Sequence, residues 1–250
     1  MKAVHDTGVL FGRSMRHILR SSDTIITVLI TPLAIMLLFV YVFGGAIRAG
    51  NGNYVNYLLP GILLMAIASG IAYTALRVFS DRQKGLFARF HSMPLARSSV
   101  LWAHVLTSVI ANSISVVVII LVALLMGFRS SAGVVEWLEV AGILVLFTLA
   151  LTWLAVIAGL SAKSVEGAGA FAYPLIFLPF ISSAFVPLAT MPAVVRAFAE
   201  NQPVTSIVDT MRSLLTSAPI GNQIWVALAW CVGITVVAYF FAMRAYKRIP

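Results

Sequence analysis

The chain has very few charged residues and almost no cysteine. Charged side chains make up 10% of its 250 residues, hydrophobic side chains make up 61%, and the mean hydropathy is +1.01. Soluble domains carry about 25% charged residues, so this composition excludes a soluble globular fold. The single cysteine, Cys231, excludes an intramolecular disulfide. The four histidines lack metal-ligand spacing, so no metal site is predicted.

Charged residues are also missing from the centres of the apolar runs. None of six long runs holds an Asp, Glu, Lys or Arg in its central part, whereas ion-coupled carriers usually place such groups near the midplane. Residues 159–164 end in Lys-Ser but lack the second glycine of a phosphate-binding loop. No nucleophile, base and acid form a recognisable set. The chain is therefore predicted not to be an enzyme, and energy for any work must come from a separate subunit.

The sequence instead contains apolar runs that can each cross a hydrocarbon core of roughly 30 Å as a helix. We predict an all-α integral membrane protein, with residues 1–250 forming a single transmembrane domain of six helices. The predicted spans lie at about 24–43, 57–79, 98–126, 137–162, 170–187 and 223–243.

The charges outside these spans predict the orientation in the membrane. Residues 1–23, 77–97, 161–169 and 244–250 share one side, with thirteen basic and four acidic residues, while the other side has four of each. Basic residues accumulate on the cytoplasmic side, so both termini are predicted to be cytoplasmic. The net charge of +9 is thus a topology signal, and no nucleic-acid partner is predicted.

Two segments on the basic side show amphipathic patterns. In residues 1–23 apolar side chains such as Phe11 and Met15 share one face and basic ones the other, which predicts an interfacial helix on lipid; the alternative is a solvated basic tail. Residues 81–94 place Leu86, Phe87 and Phe90 at helical spacing in a basic loop. That helix suits docking against another protein, and the alternative is that its rings pack on the chain's own spans.

The predicted outer side holds a broken segment. Pro174 and Pro179 interrupt the fifth run, and residues 188–217 are too polar to span the membrane and too apolar for a free loop. We predict two short helices, 193–200 and about 205–215, that lie on or dip into the outer leaflet. Thr205 and Ser206 are expected to cap the second helix. The outer acids are interpreted as ion-pairing groups, with an outward-facing active site as the alternative.

Two stretches carry a family resemblance. The loop DRQKGLFARFHSMPLARSSVL and the outer FISSAFVPLATMPAVVRAFAENQPVTSIVDTMRSLL resemble the two signatures of type-2 ABC exporter permeases, in the daunorubicin-resistance branch. The chain departs from that pattern at Asn201-Gln202-Pro203, where relatives often have Asn-Pro directly. The resemblance covers essentially the whole chain, and it is specific for the family but not for a substrate.

The resemblance implies the membrane half of a transporter in the bacterial inner membrane. Two permease copies, identical or related, would join two separate ATP-binding subunits that hold ATP and magnesium, giving a heterotetramer. The implied ATPase-docking residues are Arg82, Lys84, Gly85, Leu86, Phe87, Arg89 and Phe90, with Arg13 and Arg16. The implied outer gate comprises Pro187, Met191, Pro192, Asn201, Pro203, Asp209 and Arg212.

The resemblance also implies a translocation path and a class of cargo. The candidate path residues are Tyr41, Phe43, Tyr73, Thr74, Phe177, Phe180, Ser182, Ser183 and Phe185, with helix packing as the alternative role of each. This aromatic lining suits hydrophobic drugs, antibiotics or lipid-like molecules. The alternatives are a permease for lipid-linked polysaccharide, an ion-coupled secondary transporter, and a membrane-bound enzyme that uses Glu200 or Asp209.

Overall fold

The structure is a computed structural model that describes residues 11–12, 22–43, 54–87 and 97–247, and the regular elements in these ranges are helical. The α-helices are α1 (Ser22–Leu37), α2 (Tyr54–Gln83), α3 (Arg97–Leu125), α4 (Val134–Ser161), α5 (Val165–Ala170), α6 (Ala172–Phe177), α7 (Ala193–Asn201), α8 (Pro203–Leu215) and α9 (Gln223–Lys247). A π-helical turn, Leu38–Phe43, extends α1, and 3-10 turns occupy Leu178–Ile181 and Leu188–Thr190.

Four of these helices are long and apolar enough to cross a membrane. They are α2, α3, α4 and α9, and each lies within a few residues of a predicted span. Two shorter apolar segments, Leu29–Val42 and Val165–Ile181, lie at the predicted first and fifth spans. The all-helical membrane class is therefore confirmed over the described residues, while the count of six spans stays a prediction.

The fifth apolar segment is broken, as its prolines predict. It starts at Val165, five residues before the predicted start, and is interrupted at Phe171 before it tightens into a 3-10 turn around Pro179. A turn follows because Ser182 Oγ donates to Pro179 O at 2.6 Å and accepts from Ala184 N at 3.1 Å. The predicted end at residue 187 is wrong, since the helical part stops at Ile181.

Helix α2 is the centre of the bundle. It packs against α1, α3, α4, α5, α6 and α8, and its side chains from Leu58 to Ala68 are almost fully buried. Two small residues let neighbours approach closely. A Cβ atom on Gly61 would lie 2.6 Å from Ala184 Cβ, and one on Gly159 of α4 would lie 2.6 Å from Ala75 O. Close backbone approach of this kind is how helices associate in lipid.

Helices α3 and α9 form the outside of the bundle and expose apolar faces. Val117 and Leu121 of α3 are each 55% exposed, and Phe240 and Phe241 of α9 are 60% and 54% exposed. Side chains of this kind are stable against lipid or another apolar chain but not against water. This pattern agrees with an integral membrane protein.

Residues that are predicted to lie on the two sides of the membrane are found at opposite ends of the bundle. At one end, Asn56 Nδ2 donates to Arg129 O at 2.8 Å and Ser130 Oγ donates to Leu215 O at 2.7 Å. At the other end, Arg82 contacts the last residues of α4. We call these the Arg129 end and the Arg82 end. All residues of the first group are predicted to be outside, and those of the second are predicted to be cytoplasmic.

The start of the predicted coupling helix is wrong. Residues 81–83 form the last turn of α2, which continues four residues past the predicted end of the second span. Gly85, at φ +65°, then ends the helix in the left-handed conformation that glycine adopts without strain. Residues 88–96 lie outside the described residues, as do 1–10 and 13–21 of the predicted amphipathic N-terminal helix.

The two short helices between the fifth and last apolar segments are confirmed as α7 and α8, but the predicted caps of α8 are wrong. Helix α8 begins at Pro203, with Gln202 in the N-cap position. Proline is favoured at the first helical position because its fixed φ suits the first turn and no N–H is needed. Ser206 Oγ instead donates to Pro203 O at 2.9 Å. Whether this segment dips into the outer leaflet stays a prediction.

The close approach at Gly61 predicts a sharp effect of one methyl group. Gly61→Ala should lower the free energy of unfolding by about 1–3 kcal/mol, because the new Cβ meets Ala184 Cβ, which cannot rotate away. Gly142→Ala is the matched control, since a Cβ there has nothing within 4 Å. Thermal unfolding of both variants in detergent tests this. Equal midpoints for the two variants would contradict the packing described here.

Candidate functional site

Three residues of the predicted outer gate and path meet at the Arg129 end. Ser183 Oγ donates to Asp209 Oδ1 at 2.6 Å, and Arg212 Nη1 donates to the same oxygen at 3.0 Å. Asp209 and Arg212 are one turn apart on α8, while Ser183 lies in the turn after the broken fifth segment. The carboxylate therefore ties α8 to that turn. The predicted ion-pairing role of Asp209 is confirmed.

Arg212 extends this cluster to the first turn of α2. Its Nη2 donates to Ser183 O at 2.9 Å and to Tyr57 O at 3.2 Å. The guanidinium carbon also lies 3.9 Å from the centre of the Tyr57 ring, a cation–π distance. Tyr57 in turn donates from its hydroxyl to Ser183 O at 2.9 Å. We call Tyr57, Ser183, Asp209 and Arg212 the arginine clamp.

The electrostatics of the clamp suit a structural role better than a catalytic one. Burial lowers the pKa of Arg212, and the neighbouring Tyr57 and Asp209 counter part of that effect. An arginine stays protonated at neutral pH even so, because its ordinary pKa lies far above neutrality. The carboxylate of Asp209 already accepts from Ser183 and Arg212, and no histidine base contacts this serine among the described residues. The arrangement joins the neighbouring segments through polar contacts and does not resemble an activated nucleophile.

Gln202 belongs to the same region and was missed by the sequence analysis. It is 5% exposed, and its Nε2 donates to Ile181 O and, at 3.4 Å, to Leu178 O. These carbonyls end the broken fifth segment, so Gln202 fastens that segment to the start of α8. The signal was present in the sequence, because an amide side chain directly precedes Pro203 where the family pattern has asparagine.

The remaining outer-gate residues do not join the clamp. Pro187 precedes the 3-10 turn Leu188–Thr190, and Met191 and Pro192 link that turn to α7. Asn201 is exposed and donates from Nδ2 to Ala197 O at 2.8 Å, inside its own helix. These residues shape the connection, and their role as a gate stays a prediction.

The candidate path residues divide into separate groups. Phe180 and Phe185 stack with ring centres 4.7 Å apart, and Phe39 of the π-helical turn after α1, which was not predicted, lies 5.0 Å from Phe185. Tyr41 and Phe177 are 71% and 59% exposed. Ser182 holds the turn after Pro179, and the side chain of Phe43 lies outside the described residues. The path role of this group is still a prediction.

Thr74 belongs to a second, buried polar group between α2, α3 and α4. Its Oγ1 donates to Ser108 Oγ at 2.8 Å and accepts from Arg77 Nη2 at 3.0 Å. The Oγ atoms of Ser108 and Thr152 are 3.3 Å apart, and Asn112 Nδ2 donates to Ser108 O at 2.9 Å. Tyr73, the neighbour of Thr74, is half-buried. These contacts join three spans by polar bonds within the apolar bundle.

The docking residues at the Arg82 end have different positions. Arg82 Nη1 donates to Leu160 O at 2.7 Å and Ala162 O at 3.0 Å, although Arg82 is exposed, as Lys84 is, and Leu86 is half-buried. Arg89 and Phe90 lie outside the described residues, as do Arg13 and Arg16 of the N-terminal segment. Of the set, Arg82, Lys84 and Leu86 are therefore the described side chains accessible to another protein.

The placement of Phe87 differs from the expectation. Its side chain is 1% exposed, and its ring contacts Tyr246 edge-on at 5.5 Å between centres. The prediction that this ring fills a groove on another protein does not fit its position. The left-handed turn at Gly85 directs the chain back over the bundle, so the alternative, packing against the chain's own spans, describes Phe87.

The clamp predicts unequal effects for two arginines of the segment 188–217. Arg212→Gln should lower the free energy of unfolding by about 1–3 kcal/mol, because it removes a part-buried cation that serves three acceptors. Arg196→Gln is the control, since Arg196 pairs with exposed Glu200 on its own helix, α7, and it should change stability by less than about 0.5 kcal/mol. Chemical unfolding in detergent measures both, and equal losses would contradict the clamp.

Comparison with known proteins identifies the family. The model of the ABC-2 type transporter family matches residues 5–216. The daunorubicin resistance ABC transporter permease protein DrrB1 of Streptomyces coeruleorubidus is 28% identical over 231 residues, which cover 90% of this chain and 80% of that protein. The probable doxorubicin resistance ABC transporter permease protein DrrC of Mycobacterium tuberculosis is 26% identical over 235 residues, which cover 92% and 83%. The chain is a member of the ABC-2 type transporter family of membrane permeases.

Proposed function

We propose that the chain is the membrane subunit of an ATP-driven exporter that moves hydrophobic drugs, antibiotics or lipid-like molecules outward across the bacterial inner membrane. The observation that carries this proposal is the family match over residues 5–216, with relatives named for daunorubicin and doxorubicin resistance along about nine-tenths of the chain. The apolar, aromatic character of the candidate path supports a hydrophobic cargo.

The energy comes from two separate ATP-binding subunits, each holding ATP and magnesium, that join two permease copies. The exposed residues of the Arg82 end support a contact there. The residues proposed for this contact are Lys84, Leu86, Arg89 and Phe90, together with Arg13 and Arg16 of the N-terminal segment. The excess of basic residues on this side supports a cytoplasmic position for it and for both termini. An amphipathic segment of this kind binds in the groove of a partner.

At the Arg129 end, the segment 188–217 closes the exit of the path. The arginine clamp supports this role, because it links α8, the turn at Ser183 and the first turn of α2 through one guanidinium. Opening the exit then requires Arg212 to exchange these partners for others. Binding of cargo or nucleotide supplies that free energy in a transporter whose states differ by a few kcal/mol.

Co-purification tests the partnership. The tagged chain, expressed with a candidate ATP-binding subunit from the same organism, should retain that protein and show ATP hydrolysis that changes when hydrophobic drugs are added. Phe90→Glu should reduce the retained ATP-binding protein at least fivefold, because it charges the apolar face of the contact segment. Phe198→Glu is the matched control, since Phe198 is 53% exposed on α7 near the predicted outer gate. If no ATP-binding protein is retained by the unaltered chain, even after crosslinking, the proposed function is wrong.

A further inference from the structure

The turn that leads from α2 into the predicted contact segment has a defined backbone conformation. Lys84 N donates to Ser80 O and Gly85 N donates to Arg82 O, both at 3.0 Å. Gly85 is in the left-handed conformation, which any side chain with a Cβ would strain. Helical geometry resumes at residues 86 and 87. The contact segment therefore leaves α2 in one defined direction.

Two polar side chains near this turn contact other helices of the bundle. Asp81 Oδ2 lies 3.4 Å from Nε2 of His104 on α3. Arg82 binds the carbonyls of Leu160 and Ala162, where α4 ends and its last carbonyls lack helical partners. The turn is thus fastened to α3 and α4 from the side of α2.

Phe87 adds the link to α9. Its ring meets Tyr246 of α9 at 5.5 Å and 88°, and His104 of α3 at 6.4 Å and 76°, both edge-on. It is buried in one apolar cluster with Leu101 of α3 and Ala242 of α9. Because packed interiors shift between discrete arrangements and do not deform smoothly, a displacement of Phe87 must move side chains on both helices.

We propose that Phe87 and Arg82 are positioning residues that transmit movement of the contact segment to α9, α3 and α4, and that buried Phe87 is not part of the docking surface. The inference rests on the proposed function, since it assumes an ATP-binding subunit that moves this segment. It assigns separate tasks to neighbouring residues. Exposed Lys84 contacts the partner, whereas Arg82 and Phe87 connect that contact to the spans.

A pair of phenylalanines tests the role of Phe87. Phe87 and Phe128 are each 1% exposed, and Phe128 makes a similar edge-on contact, with Trp137, near the Arg129 end. In the reconstituted complex, Phe87→Ala should retain ATP hydrolysis and lower drug transported per ATP at least fivefold, and Phe87→Leu should restore part of it. Phe128→Ala should leave that ratio unchanged, although it removes an equally buried ring. Equal ratios for the two alanine variants would overturn the proposal.

Amide hydrogen exchange on the purified chain alone separates this inference from the proposed function. Phe87→Ala should speed exchange at both residues 84–87 and the end of α9, residues 242–247, whereas Phe128→Ala should speed neither. Exchange that rises only at 84–87 would overturn the linkage. If the unaltered chain retains no ATP-binding subunit, the proposed function fails, and the exchange result still decides whether Phe87 couples the turn to α9.

Two cations in the same turn test the role of Arg82. Arg82→Met and Lys84→Met each remove one positive charge, but only Arg82 holds the end of α4. Arg82→Met should lower drug transported per ATP at least threefold with little change in affinity for the ATP-binding subunit. Lys84→Met should weaken that affinity and leave the ratio as it was. Equal losses of affinity with unchanged ratios would show that both residues only dock.

Discussion

Helices in lipid gain no hydrophobic free energy by packing on one another, so close contact and internal hydrogen bonds must hold them together. Helix α2 provides contacts of both kinds. It presents Gly61 to Ala184 and meets Gly159 through Ala75, and in both places there is no room for an additional methyl group. Thr74 adds a hydrogen bond to Ser108 in the same apolar surroundings. The neighbouring spans take their positions from this one buried helix.

The same helix connects the two candidate functional regions. Its first turn carries Tyr57, against which the guanidinium of Arg212 lies. Its last turn carries Arg82, which holds the end of α4. A helix of 30 residues is about 45 Å long, so α2 extends through the whole bundle as one continuous element. The segment 188–217 and the predicted ATPase contact are thus attached to opposite ends of one continuous helix.

The features that depend on residues close together in the chain could be predicted from the sequence. Long uncharged runs predicted α2, α3, α4 and α9 to within a few residues, and Pro179 predicted the break in the fifth segment. The beginning of α8 was misplaced because hydroxyl residues were favoured as caps over Pro203, which suits the first helical position better. The end of α2 was misplaced because polar residues 81–83 were assigned to a separate coupling helix although they continue α2.

Other features could not be predicted because they depend on which helices are neighbours. Helical spacing showed that Phe87 lies on an apolar face, but the turn at Gly85 determines that this face covers Tyr246. Ser108 and Thr152 are unremarkable in the sequence and meet only after α3 and α4 pack. Asp209 and Arg212 were recognised as a motif, yet Tyr57, the fourth residue of the arginine clamp, lies 155 residues away from Arg212 in the sequence.

The central claim is that this permease exports hydrophobic molecules with energy from a separate ATP-binding subunit. The most direct measurement is uptake of a fluorescent anthracycline into inside-out membrane vesicles that contain the chain and that subunit. The account predicts accumulation that requires ATP, stops when the ATP-binding subunit is omitted, and persists when proton and sodium gradients are collapsed. Accumulation that follows an ion gradient without the ATP-binding subunit would contradict it.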